Sequence, residues 1–124
     1  MWLDNIILGV GTKNAKGLMN AYSDFDYDFS LLRMHNAYLR ILVEQGLVGL
    51  ILFLIILYTT ITYAFKSNKI LELSENSLIY WFNKIVLYKI VSIFVLYFFG
   101  GWAIYDKLFW MDIAITIIIY DYAQ

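Results

Sequence analysis

The sequence predicts an all-α, polytopic membrane protein, with about three transmembrane helices preceded by an extracytoplasmic loop region. Two observations carry this. Of 124 residues, 62% are hydrophobic and 15% charged, whereas soluble domains are about 45–50% apolar and about 25% charged. So few charges cannot clothe a globular surface. The second observation is the stretch 45–65, which holds no charged residue and, as a helix, would cross the ~30 Å hydrocarbon core.

The same composition excludes several classes. A formal charge of -1 offers no basic surface for nucleic acid, and none is expected as a partner. The absence of cysteine excludes disulfides, thiolate metal sites and a thiol nucleophile. A single histidine, His35, cannot build a histidine-rich metal site, so no metal or other cofactor is expected. With no proline in the chain, a kink must come from glycine or from a break between helices. The 19% aromatic content lies largely at segment ends, which suits interfacial anchoring.

Residues 1–34 are expected to form the extracytoplasmic loop segment, and 35–124 the membrane part, with spans at about 36–65, 84–104 and 108–122. In the loop segment, Gly9-Val10-Gly11 permits a tight turn and a close backbone approach to a ligand. It is neither a dinucleotide-binding fingerprint nor a P-loop, because the third glycine and the Gly-Lys-Ser/Thr step are missing. Stretch 22–29 alternates Asp24, Asp26 and Asp28 with aromatic residues. It reads either as a sugar-holding surface or, more simply, as a solvated loop touching the bilayer.

The first span has a polar lead-in. Asn36 can cap the helix. Arg40 and Glu44 stand four apart and can pair, either as an interfacial ion pair or as substrate contacts. On an ideal helix, at about 100° per residue, His35, Leu39, Leu42, Gly46, Gly49 and Phe53 share one face. Gly46 and Gly49 are then expected to admit a neighbouring helix closely, and Lys66-Ser67-Asn68-Lys69 to stop the span. The second span tolerates Lys84 and Lys89 if Lys89 snorkels to the headgroups, and Gly100-Gly101 makes the following turn. In the third, Asp112 lies one turn from the loop. It reads as solvated at the interface or as an intramembrane site.

Basic residues near span ends set orientation. Lys66, Lys69, Lys84 and Lys89 crowd the connection between the first two spans, against Arg33, Arg40 and Lys107 on the other side. This places the 66–84 connection in the cytoplasm and His35 outside.

The run His35-Asn36-Ala37-Tyr38-Leu39, then Glu44-Gln45-Gly46-Leu47-Val48-Gly49 and a Leu/Ile/Phe-rich segment, with Gly9-Val10-Gly11 upstream, resembles a known pattern. It is similar to the C-terminal half of the O-antigen ligase and O-antigen polymerase family, over roughly residues 6–65. The resemblance implies a metal-independent glycosyltransferase of the bacterial inner membrane, acting in O-antigen, capsule or exopolysaccharide synthesis. His35 would be the general base that deprotonates an acceptor hydroxyl, for attack on a sugar chain carried by polyprenyl pyrophosphate. Asn36 would be its catalytic companion, with Arg33, Arg40 and Glu44 contacting substrate. Implied partners are the polyprenyl-pyrophosphate-linked oligosaccharide, the lipid bilayer and other polysaccharide-export proteins. Family members have many more spans, so the chain reads as a C-terminal part, active when joined to its N-terminal part. Two other classes stay open: a small non-catalytic membrane subunit, and a transporter or flippase fragment relaying protons through His35 and Asp112.

Overall fold

The computed structural model describes residues 5–19, 35–72, 77–100 and 107–124. These residues form α1 (Asn14–Met19), α2 (Ala37–Leu71), α3 (Ser77–Leu96) and α4 (Lys107–Ala123), with no strand among them. The chain divides into two compact units. One joins Met1–Leu54 to Tyr97–Trp102, and the other joins Ile55–Leu96 to Ala103–Gln124.

Two helices, α2 and the Leu78–Leu96 part of α3, are long and apolar enough to cross a membrane. Within their most apolar windows 28% and 22% is buried inside the molecule, so most of that surface faces outward. Leu52, Ile55, Phe65, Ile85 and Val95 are among the large apolar side chains left exposed. The core helix of a soluble protein shows the reverse, because water penalises contiguous apolar surface and lipid does not. The helix expected at 108–122 is present as α4. Its 17 residues measure about 25 Å, somewhat under the hydrocarbon thickness.

Several boundaries differ from expectation. Lys66-Ser67-Asn68-Lys69 does not end α2, which continues to Leu71. Charge ends a membrane-compatible run, but none of these residues breaks a helix, and the Ser67 hydroxyl donates back to the Tyr63 carbonyl. The second long helix starts and ends earlier than 84–104. Lys84 lies inside α3 because its ammonium has partners there: Nζ is 3.1 Å from the Tyr80 hydroxyl and faces the Tyr80 and Trp81 rings. The turn at 97–99 precedes Gly100, and Gly101 lies outside the described residues.

Asp112 is not solvated at an interface. It is 3% exposed, and Lys89 Nζ, instead of reaching away alone, bonds its Oδ1 at 2.9 Å. Asn83, also buried, donates from Nδ2 to the Ala64 carbonyl at 3.3 Å, and Tyr63 stacks on Tyr120 with ring centres 4.4 Å apart. These contacts tie together the unit formed by Ile55–Leu96 and Ala103–Gln124. The hydroxyls of Thr59, Thr60, Thr62, Ser92 and Thr116 each donate to a carbonyl one turn earlier in their own helix. Such self-satisfaction leaves little polar demand on an apolar surrounding.

Candidate functional site

The helix that follows His35 starts where its cap does. Asn36 Oδ1 accepts from the Leu39 amide at 3.0 Å, while the Asn36 carbonyl accepts the Arg40 amide at 3.0 Å. That is the N-cap arrangement. The Ala37 amide, another donor with no partner inside the helix, is taken by the Tyr97 carbonyl at 2.8 Å. Tyr38 packs beside this junction, its ring 4.7 Å from that of Phe98. His35 itself lies just outside the helix, exposed. An imidazole so placed can meet a substrate from the surrounding medium without disturbing the packed residues behind it. Asn36→Ala is expected to destabilise the chain by about 1 kcal/mol, with Asn36→Asp near wild type, as read from thermal unfolding in detergent micelles.

One turn on, Arg40 Nε and Glu44 Oε1 are 3.2 Å apart. Glu44 is 4% exposed, so its carboxylate is held inside the protein with Arg40 as a charged neighbour. The i,i+4 pairing expected from spacing is therefore present. Arg33 lies outside the described residues, as does the 22–29 stretch.

The shared face expected for His35, Leu39, Leu42, Gly46, Gly49 and Phe53 does not exist, because α2 is broken at Gly46. There φ is 67° and ψ is -166°, a conformation open essentially to glycine alone. The sign of the break is visible in the side chains: Leu39 is 56% exposed and Phe53 4%. Tyr38 and Phe53, fifteen positions apart in sequence, would be separated by about 22 Å along a straight helix, yet their ring centres are 6.0 Å apart. Within the first unit, the stretches 37–45 and 47–54 are thus bent sharply toward each other at Gly46.

A break in an apolar helix frees backbone groups, and lipid offers them nothing. Here residues 6–11 supply the partners. The Val43 and Glu44 carbonyls, which would have accepted from Leu47 and Val48 in a regular helix, accept instead from Val10 and Gly11 amides, both at 2.9 Å. The Leu47 and Val48 amides in turn donate to the Ile6 carbonyl at 2.9 Å and the Ile7 carbonyl at 3.3 Å. One short segment therefore caps the C-terminal end of the first half-helix and the N-terminal end of the second.

That close approach needs glycine on both sides. A Cβ at Gly9, where φ is 70°, would lie 2.5 Å from the Gly46 nitrogen and 2.6 Å from the Gln45 nitrogen. A Cβ at Gly46 would meet the Ile7 carbonyl and the Gly9 nitrogen. The neighbour expected at Gly46 was a second helix; the neighbour present is this segment's backbone. At Gly49 it is the Gln45 side chain.

The structure thus brings Asn36, Arg40, Glu44 and Gly46 onto one bent element, with Gly9-Val10-Gly11 against it. It also assigns positioning work to Tyr38 and Tyr97, which sequence reasoning passed over; an aromatic residue one step after a cap carries no distinctive signal. Among the described residues no group of three His, Asp or Glu side chains is placed to hold a metal ion. No family model matches the chain, and neither a curated protein nor a solved structure matches it significantly.

Proposed function

We propose that the chain is the C-terminal part of a bacterial inner-membrane glycosyltransferase that polymerises or ligates polyprenyl-pyrophosphate-linked oligosaccharides, with His35 as general base on the outer face. The observation that supports this most is the joining of Gly9-Val10-Gly11 to Glu44-Gln45-Gly46 by backbone hydrogen bonds on both sides of the break. Both segments belong, with His35-Asn36-Ala37-Tyr38-Leu39, to the pattern that carries the family resemblance, and they lie far apart in sequence. An exposed imidazole at the start of the same bent helix can accept a proton from a sugar hydroxyl as a general base. Asn36 fixes the helix start beside it. Arg40, steadied by Glu44, supplies positive charge for a pyrophosphate. In this reading α2 and α3 cross the membrane, and α4 adds a third, short span.

The test is His35→Ala in the source bacterium, with surface polysaccharide length and amount measured. Long polymer is expected to disappear, a loss of at least about a hundredfold in transfer. Unchanged polymer with the variant present in the membrane would sink the general-base role. A second reading draws on Asp112, whose Oδ2 is buried with no hydrogen-bond partner among the described residues. A proton-relaying transport fragment would make use of such a group. In that case Asp112→Asn, and not His35→Ala, would abolish activity.

A further inference from the structure

We propose that the turn from Asn5 to Gly9 is a membrane hook, with the Ile7 and Leu8 side chains inserted among acyl chains at the rim of the bilayer's hydrocarbon. This rests on α2 lying in a bilayer, and is independent of His35 and of sugar transfer.

Hydrogen bonds fix the depth of the turn. The Leu47 amide donates to the Ile6 carbonyl and the Val48 amide to the Ile7 carbonyl, so Ile6 and Ile7 stand level with the first turn after the break at Gly46. Residues 47 and 48 lie at one end of the uncharged run 45–65, where a spanning helix meets the edge of the hydrocarbon. On this turn and the next, Leu47, Val48, Ile51 and Leu52 are 44%, 44%, 48% and 56% exposed. At about 100° per residue they fall within an arc of about 140° on one face of the helix. The hook adds two more bare side chains at the same level, with Ile7 66% and Leu8 74% exposed.

Contiguous bare apolar surface marks a contact with lipid or with another protein, and lipid accepts irregular backbone only where its polar groups are already engaged. The Asn5 carbonyl accepts from the Gly9 amide at 2.8 Å and closes the turn. The Ile6 and Ile7 carbonyls and the Val10 and Gly11 amides are bonded to α2, and the Val10 carbonyl accepts from Asn14 Nδ2 at 3.1 Å. No charge occurs from Asn5 to Thr12, and Lys13 follows, exposed, as the chain leaves the turn. The tip is thus three consecutive apolar residues, Ile6-Ile7-Leu8, on an engaged backbone. Its backbone is bonded to the very turn of α2 whose own side chains face outward at the start of an apolar span. That continuity selects acyl chains as the occupant.

The chain has no cysteine, so one introduced cysteine carries a spin label at a single place. The full chain is labelled at Ile7, Leu8, Leu52 or Lys69 and reconstituted in phosphatidylcholine vesicles. Electron spin resonance power saturation then measures collisions with oxygen, which concentrates in hydrocarbon, and with chromium oxalate, a charged complex confined to water. All four side chains are exposed, so the label displaces no packed group. Labels at Ile7 and Leu8 should match Leu52, with an oxygen-to-chromium collision ratio at least about tenfold above that at Lys69, because hydrocarbon excludes a charged complex. Ratios at Ile7 and Leu8 equal to that at Lys69 would overturn the proposal by placing the turn in water. Few collisions with either reagent at Ile7 and Leu8 would also overturn it, by showing that a protein surface covers the turn. A Leu52 label with the ratio of Lys69 would refute the bilayer reading of α2 on which the hook depends.

Discussion

Gly46→Ala is expected to release residues 6–11 from α2 and to open the sharp bend between its two halves. Three effects add. The observed φ of 67° with ψ of -166° costs a residue bearing Cβ about 1–3 kcal/mol. The new methyl would stand against backbone atoms of Ile7 and Gly9, which cannot step aside as a side-chain end can. And alanine favours a regular helix over glycine by about 1 kcal/mol, so an uninterrupted helix becomes the better alternative. The native bend should lose at least about 3 kcal/mol relative to the straight form. Spin labels at Leu39 and Leu52, both 56% exposed, would read the change: the Gly46→Ala distance should approach the about 20 Å of a continuous helix, well beyond that of the bent chain. Gly9→Ala should act in the same direction, because its methyl would strike the same junction from the other side.

Lys89→Met is expected to produce the second large effect. It removes the ammonium that pairs, among the described residues, with a carboxylate that is 4% exposed, while the lysine side chain is itself 43% exposed. Breaking a fully buried pair costs about 3–5 kcal/mol. Partial exposure of Lys89 lowers that to about 2 kcal/mol, in line with the smaller worth of exposed pairs. The loss should fall on the packing of α3 with α4, read from the unfolding transition in micelles. Adding Asp112→Leu should recover most of the loss, because a pair of apolar groups leaves no buried charge behind. A double variant as unstable as the sum of the two single ones would show that Lys89 and Asp112 act independently.

The sequence made the helices legible, since long uncharged stretches have few other solutions, and it made the cap at Asn36 and the Arg40–Glu44 pair legible because both depend on local spacing. The bend at Gly46 was not. Periodicity assumes a continuous helix, and a glycine in an apolar run reads equally as a packing notch or a break. What decides between them is a partner more than thirty positions upstream, whose own Gly-x-Gly signature is common. Asp112 was misread for a related reason: its nearness to a loop in sequence says nothing about Lys89 on the neighbouring helix. The close backbone approach anticipated at Gly9 and Gly11 does occur, with the chain's own helix as the group approached.

The most direct measurement of that arrangement is a hydrogen-bond scalar coupling from the Leu47 amide nitrogen in the isotope-labelled full chain in micelles. Capping of the broken helix by residues 6–11 predicts a correlation to the carbonyl carbon of Ile6. A correlation to the carbonyl of Val43, as in an unbroken helix, would contradict it.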